Sequence, residues 1–148
     1  MIISEKTFEA SKKRINESKS PIIFTSNDDE LNRKILEKLK IDILLLNQKD
    51  RQDFQKQRNS GLNQVLARIA KQNNVIIGIN LDELLNSFGK EKSQILARIK
   101  QNIRLCNKNK LKMKFISPSN KTTNSYDLKS LGLVLGMPTW MTSNLDFN

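Results

Sequence analysis

Arg58-Asn59-Ser60-Gly61-Leu62-Asn63-Gln64-Val65-Leu66-Ala67-Arg68-Ile69-Ala70-Lys71-Gln72-Asn73-Asn74-Val75-Ile76-Ile77-Gly78-Ile79-Asn80-Leu81 is the stretch that decides the fold. A basic, turn-forming loop with Ser60 and Gly61 at its turn leads into a helix opened by Gly61. Leu62, Val65, Leu66, Ile69 and Ala70 share one face of that helix, and Arg68 and Lys71 lie away from it. The apolar run 75–79 follows as a strand and stops on the polar Asn80. Helix then buried strand is half of an α/β unit.

The same alternation extends outward in both directions. Upstream, 21–25 and 42–46 are short apolar runs whose length favours strands buried on both faces. Between them a helix from 28 to about 40 buries Leu31, Ile35, Leu36 and Leu39. Asn27, with Glu30 three residues on, fits a helix cap, and Asp28 and Asp29 sit where the helix dipole favours negative charge. The segment 47–60 is a long polar connection without Pro or Gly, a length more often functional or mobile than merely connecting. Downstream, a short helix over 81–88 leads through Gly89 into a long one over 91–107, and 112–116 makes a further strand. A helix from Ser125 to Leu131 precedes 132–137, where Gly132 and Gly136 mark turns and a terminal strand is an open alternative. The first 20 residues read as an N-terminal helical extension, with a helix over 5–16, and 138–148 as a loosely ordered tail. The expectation is a single α/β domain over 1–148: a parallel sheet of βα units, TIM-barrel-like but truncated to a partial barrel or open sheet. Strand ends at Ser26, Asn47, Asn80 and Ser117 would then cluster at the carboxyl edge, where such sheets place their sites.

The net charge of +11 is concentrated. Residues 90–114 carry nine basic and one acidic side chain, and residues 51–72 carry five and one. Such gathering suggests a polyanion footprint. A solvated helix face is the plainer alternative, and an anionic membrane surface fits less well because the basic helix lacks a bulky Trp/Phe face. On a helical projection Ile95, Ile99, Ile103 and Cys106 form one face, and Lys100, Arg104 and Lys108 form a stripe opposite at i, i+4, i+8. Like charges so spaced cost about 0.2–0.5 kcal/mol per pair, which argues for a demand on that face. Lys110, Lys112 and Lys114 carry the charge into the next strand, with Leu111, Met113 and Phe115 on its other side. Arg104 can grip a phosphate bidentately and the lysines act as point charges. Tyr126 and Trp140, the lone stacking candidates, read as packing residues, so recognition of folded RNA through its backbone and shape is expected.

Several chemistries are disfavoured. The chain has no histidine, which removes the hydrolytic triads and most zinc sites. It has neither a Walker A loop nor a dinucleotide fingerprint. Cys106 reads as a small core residue. Asp28, Asp42 and Asp82 are the carboxylates on which a divalent-ion enzyme would have to rest. No catalytic residue and no metal ligand is assigned. One cysteine, no apolar leader and no apolar run of membrane-spanning length lead us to expect a cytoplasmic protein without a membrane.

The block 58–67, followed by 74–81 and Leu84-Leu85, resembles protein component 3 of archaeal ribonuclease P. Leu105-Cys106, Lys108, Lys110, the strand to Ser117 and the run 127–137 also resemble that family, over about residues 21–137. The resemblance implies a TIM-barrel-like subunit of the ribonucleoprotein that removes 5′ leaders from precursor tRNA, with RNA as the catalyst. The implied partners are the ribonuclease P RNA, other protein subunits with component 2 foremost, and precursor tRNA in the complex. No cofactor is implied for this chain, Mg²⁺ belonging to the catalytic RNA. Charge and placement assign Arg58, Arg98, Lys100, Arg104, Lys108, Lys110 and Lys112 to RNA contact, and the family supports Arg58 best. The family is longer, with βα elements ahead of the region matching Pro21, and often has His at Gln64 and Arg at Asp82. A stand-alone module that binds structured RNA, ribosome-associated and without a role in tRNA maturation, is the alternative.

Overall fold

Among the described residues, short runs of Ile, Leu and Phe bounded by polar residues form five strands, and amphipathic segments between them form seven helices. The computed structural model describes residues 1–143 and 145. In chain order the elements are β1 (Ile2–Ile3), α1 (Phe8–Glu17), β2 (Ile23–Thr25), α2 (Asp29–Lys38), β3 (Ile43–Leu46), α3 (Gln64–Gln72), β4 (Ile76–Asn80), α4 (Leu81–Asn86), α5 (Gly89–Lys108), β5 (Met113–Ile116), α6 (Ser125–Val134) and α7 (Thr139–Thr142). Five of these helices start on a side-chain cap: Thr7, Asp28, Asn63, Asn80 and Asn124 each accept a first-turn amide. Each cap satisfies an otherwise orphaned donor and is worth about 1 kcal/mol.

All strand pairs are parallel and the order in the sheet is β1-β2-β3-β4-β5, the same as in the chain. Right-handed crossovers between sequential neighbours keep their helices on one face. The core lies there. Ile3, Phe24, Leu44, Leu46, Ile77, Ile79, Met113 and Phe115 point toward Leu31, Ile35, Leu36, Ala67, Ala70, Ile95, Ile99 and Ile103 of the helices. Among the described residues Phe24 and Phe115 are the aromatic side chains buried in it, so branched aliphatics supply most of the volume, as the composition suggests. Cys106 is part of this core, and burial pushes its thiol up to about 12.

Several expectations need correction. The first 20 residues are not only a helical extension. Ile2 and Ile3 pair with Ile23 and Phe24, which makes 1–20 a βα unit of the sheet. The cap of α2 is Asp28, one residue later than expected, because its carboxylate reaches the Glu30 and Leu31 amides while Asn27 turns to accept from Asn47. Gly61 does not open a helix. It sits at φ +78, and α3 begins three residues on, behind the Asn63 cap. Gly132 is no turn but lies buried within α6, where a Cβ would stand 2.8 Å from the Met137 sulfur. Gly136, at φ +101, is the turn after that helix, so the terminal strand does not form. In the expected loose tail, α7 packs Met141 into the core and Leu145 is buried beside it; residues 144 and 146–148 lie outside the described residues.

Candidate nucleic-acid interface

The long polar connection is neither loose nor apolar. It is a strap, residues 47–63, tied down by side chains from three helices and by its own. Arg98 of α5 is at the centre, with only 3% of its side chain exposed. Its Nε donates to Asp53 at 3.0 Å, one terminal nitrogen to the Gln48 carbonyl at 2.9 Å, and the other to the Arg51 carbonyl at 2.8 Å. Arg98 was expected to face RNA, and the structure corrects this: its guanidinium is enclosed, and each of its three nitrogens donates to the strap. Burial pushes the Asp53 carboxyl up. The Arg98 and Asn59 donors and the neighbouring charges of Arg98 and Arg58 outweigh it and hold the group below the ordinary carboxylate range.

Arg51 is the second tie. Its two terminal nitrogens clasp the two oxygens of Asp29 at 2.9 Å each, a bidentate pair at the start of α2. Gly61 lies directly against it: a Cβ there would stand 2.6 Å from an Arg51 nitrogen. Gly61→Ala therefore combines a left-handed backbone position with a clash. It should cost about 1–3 kcal/mol and open the Arg51–Asp29 clasp, read as a lower urea midpoint at unchanged slope. The buried Ser60 carbonyl completes the fastening by accepting from Gln48 and Asn102, and Gln101 donates to the Ser60 hydroxyl and the Arg58 carbonyl. Arg51, Gln48, Asn102 and Gln101 were missed from the sequence. The available signal was the unbroken polar run itself, which has to satisfy its backbone somewhere.

The strap, α2, α3 and α5 enclose a groove of about 510 Å³ whose lining includes Arg33, Phe54, Arg58, Gly61 and Leu105. Phe54 is 58% exposed beside it. Arg58 is exposed and pairs with Asp53 at 3.2 Å. At the inner end Gln64 and Asn109 exchange amide hydrogen bonds of 2.9 and 3.2 Å, joining α3 to the end of α5.

The basic stripe is on the surface, as its periodicity requires. Lys100, Arg104 and Lys108 are all exposed along α5, while Ile95, Ile99, Ile103 and Cys106 are buried. At 1.5 Å rise per residue the stripe runs about 12 Å. Among the described residues none of the three forms an ion pair. Lys100 and Arg104 border a shallow depression of about 240 Å³ closed by Val134, Leu135 and Gly136. Lys110 reverses the chain at φ +56, and its ammonium stands 5.5 Å from the Trp140 ring centroid. Lys112 is exposed, and Lys114 lies on β5. Trp140 is partly buried and donates to Asn107, whereas Tyr126, read as a packing residue, is 76% exposed.

The carboxyl edge of the sheet is polar and self-satisfied. Asn80 donates to Asn47, which donates to Thr25 and Asn27. Asp82 accepts from the Ser117 hydroxyl at 2.6 Å and the Ser119 amide at 2.8 Å. Burial raises its carboxyl, but these donors hold it below the ordinary range. Burial pushes the Glu83 carboxyl up, against the pull of the Gln48 and Lys49 amides. Asp28 caps α2, and Asp42 sits at the opposite edge, bound by the Ile22 amide and the Ser20 hydroxyl. The three aspartates do not converge. Among the described residues no group of three or more His, Cys, Asp or Glu is placed to hold a metal ion, and no helix is long and apolar enough to cross a membrane.

Known proteins share this architecture. A chain in a cryo-EM structure of archaeal ribonuclease P with mature tRNA superposes with a TM-score of 0.77 at 25% identity, covering 95% of this chain and 61% of that one. Ribonuclease P protein component 3 of Methanosarcina mazei is 34% identical over 117 residues, 79% of this chain and 45% of that protein. The Methanococcus maripaludis component 3 is 29% identical over 127 residues, 84% of this chain and 50% of that protein. The chain thus spans about half the length of the curated relatives it matches. The family match itself runs over residues 3–143, taking in Ile3 of β1 and all of α1 ahead of the region where resemblance was expected to begin. With fold, sequence and span in agreement, the chain belongs to the RNase P subunit p30 family.

Proposed function

We propose that this chain is an RNA-binding part of ribonuclease P, supporting a catalytic RNA in removal of the 5′ leader from precursor tRNA in the cytoplasm. One observation carries the reading. In a member of this family, the long helix presents Lys100, Arg104 and Lys108 to solvent in one line, without an anionic partner among the described residues. A nucleic-acid backbone supplies that partner and is bound chiefly through released counterions. Arg58, Lys110 and Lys112 extend the surface, with Arg58 exchanging Asp53 for a phosphate. Arg98 is excluded, because its enclosed guanidinium holds the strap from which Arg58 projects.

The chemistry belongs to the RNA. The Mg²⁺ it needs is bound by RNA and substrate, and Asp28, Asp42 and Asp82 are engaged as a cap and as loop ties. Further subunits, component 2 among them, complete the particle. Reconstitution with ribonuclease P RNA, the other protein subunits and Mg²⁺ tests this by scoring 5′ cleavage of precursor tRNA with and without this chain. Cleavage that rises several-fold when the chain is added supports the reading. Unchanged cleavage, with ribosomal RNA co-purifying in place of one dominant structured RNA, favours the stand-alone RNA-binding module.

A further inference from the structure

Phe54 is the one apolar residue in the stretch 47–60, and the strap holds it outward, 58% exposed. The ring is not carried on a slack loop. The residue before it, Asp53, accepts from the Arg98 Nε at 3.0 Å and from the Asn59 amide at 2.9 Å, which closes residues 53–59 into a loop with Phe54 at its root. Arg51, three residues upstream, is clasped to Asp29. Phe88 and Tyr126 are also exposed aromatics, but neither borders the groove that Phe54 lines. That groove, of about 510 Å³, lies within the range of roughly 300–1,000 Å³ that small ligands occupy. Its apolar lining continues from Phe54 to Leu62, Leu66 and Leu105. Its polar lining has hydrogen-bonding capacity to spare: the Gln57 amide and the Asn63 Nδ2 hydrogens bond to nothing among the described residues. Charge on the rim is uneven. Arg33 is bonded to Glu37 at 2.9 Å and has Glu30 one turn before it, so its charge is met. Arg58 pairs at 3.2 Å with Asp53, which already serves the buried Arg98. One carboxylate facing two guanidinium groups leaves Arg58 with surplus positive charge.

We propose that this groove takes a single unpaired RNA nucleotide, its base stacked on Phe54 and an adjoining phosphate held by Arg58. The proposal rests on RNA being the ligand of this chain and adds what that RNA must offer: a base outside its helical stack, as in a bulge or loop. Stacking on an aromatic ring accepts any base, because every base has a π face. The Gln57 and Asn63 amides then meet the base edge, and Arg58 forks to phosphate oxygens. Glu30 at the start of α2 repels a phosphate from the other end of the groove, which sets the direction of the nucleotide. An apolar side chain from a protein partner would account for the Phe54 and leucine lining. It would leave the surplus guanidinium and the open amide donors beside that lining without a use, whereas one nucleotide employs all three.

The test uses the full chain and two RNA hairpins that are identical except for one bulged 2-aminopurine in the stem, a base whose fluorescence reports stacking. The bulged hairpin should bind roughly 5- to 100-fold tighter than the paired one, with a change in 2-aminopurine emission on binding. Phe54→Ala should erase that preference while leaving the melting temperature, the affinity for the paired hairpin and its salt slope as in the parent. Phe54→Trp should keep the preference, and Phe54→Leu, apolar but without a π face, should lose most of it. Arg58→Gln should flatten the salt slope for the bulged hairpin by about one. The Lys100/Arg104/Lys108 triple alanine variant should bind both hairpins more weakly and still prefer the bulged one. Equal binding of the two hairpins by the parent would overturn the nucleotide site and leave RNA binding standing, whereas binding of neither would overturn both. A preference that survives Phe54→Ala puts the base elsewhere and also overturns the site. So does a Phe54→Ala chain that prefers the bulge as before yet drops out of the reconstituted enzyme, since the ring then docks against protein.

Discussion

Arg98→Met lowers the melting temperature by roughly 6–20 °C, the largest effect expected of any single change described. The reasoning starts from burial. The Arg98 guanidinium is 3% exposed and donates to two backbone carbonyls and one carboxylate. Methionine fills much of the volume but leaves the Gln48 and Arg51 carbonyls without this donor and Asp53 with only the Asn59 amide and the exposed Arg58. Removing one partner from a buried charged network costs about 3–5 kcal/mol, and each kcal/mol shifts the midpoint by about 2–4 °C in a domain of this size. Arg98→Lys should recover little, because an ammonium cannot fork to three acceptors at these angles. The loss should be local first. With the strap released, trypsin should cut after Arg51, whose side chain is otherwise clasped to Asp29 and 9% exposed. The acid side of the stability curve should change as well. Asp53 is held below its ordinary range, so it contributes stability above about pH 4 that fades as pH falls through its lowered folded value. In Arg98→Met that part of the slope should flatten, which urea titrations at several pH values would detect.

The case of Arg98 also shows where sequence reading stops. Periodicity places Ile95, Ile99, Ile103 and Cys106 inward and Lys100, Arg104 and Lys108 outward, because both sets obey one helical repeat. Arg98 lies at the margin of the apolar face, one turn from Asn102. Its direction depends on Asp53 and on two carbonyls more than forty positions away in the chain. No local pattern carries that information. The same holds for Ile2-Ile3, too short for a periodic signal and made a strand only by pairing with Ile23-Phe24. By contrast, β2 to β4 are legible as apolar runs bounded by polar residues, and β5 as lysines alternating with Leu111, Met113 and Phe115. Gly132 and Gly136 look alike in the sequence. One is in a helix packed against Met137 and the other is at a positive-φ turn, a difference set by tertiary contact alone. The departures at Gln64 and Asp82 likewise gain meaning only in space, as half of an amide pair with Asn109 and as the acceptor for Ser117 and Ser119.

Replacing Lys100, Arg104 and Lys108 together with alanine should weaken binding to ribonuclease P RNA by tenfold or more at moderate salt while the melting temperature holds. The two readouts separate because the stripe contributes little to the fold. Its members are exposed and form no ion pair among the described residues. Removing mutually repelling i, i+4 charges and placing alanine on an exposed helix face is neutral or slightly stabilising. Binding behaves oppositely. Each neutralised phosphate contributes roughly 0.7–0.9 to the slope of log affinity against log salt, so three lost contacts should flatten that slope by about 2–3. The slope is the decisive quantity, since a misfolded or inactive fraction lowers apparent affinity without changing it. Charge-preserving changes sharpen the point. Lys100→Arg and Lys108→Arg keep a cation and should leave the slope alone. Arg104→Lys should lose affinity with little change in slope, because it loses the bidentate grip and keeps the charge. If the triple variant binds with the parent's affinity and slope, the stripe is a solvated face, and the RNA contact must be sought around Arg58 and the groove beside Phe54.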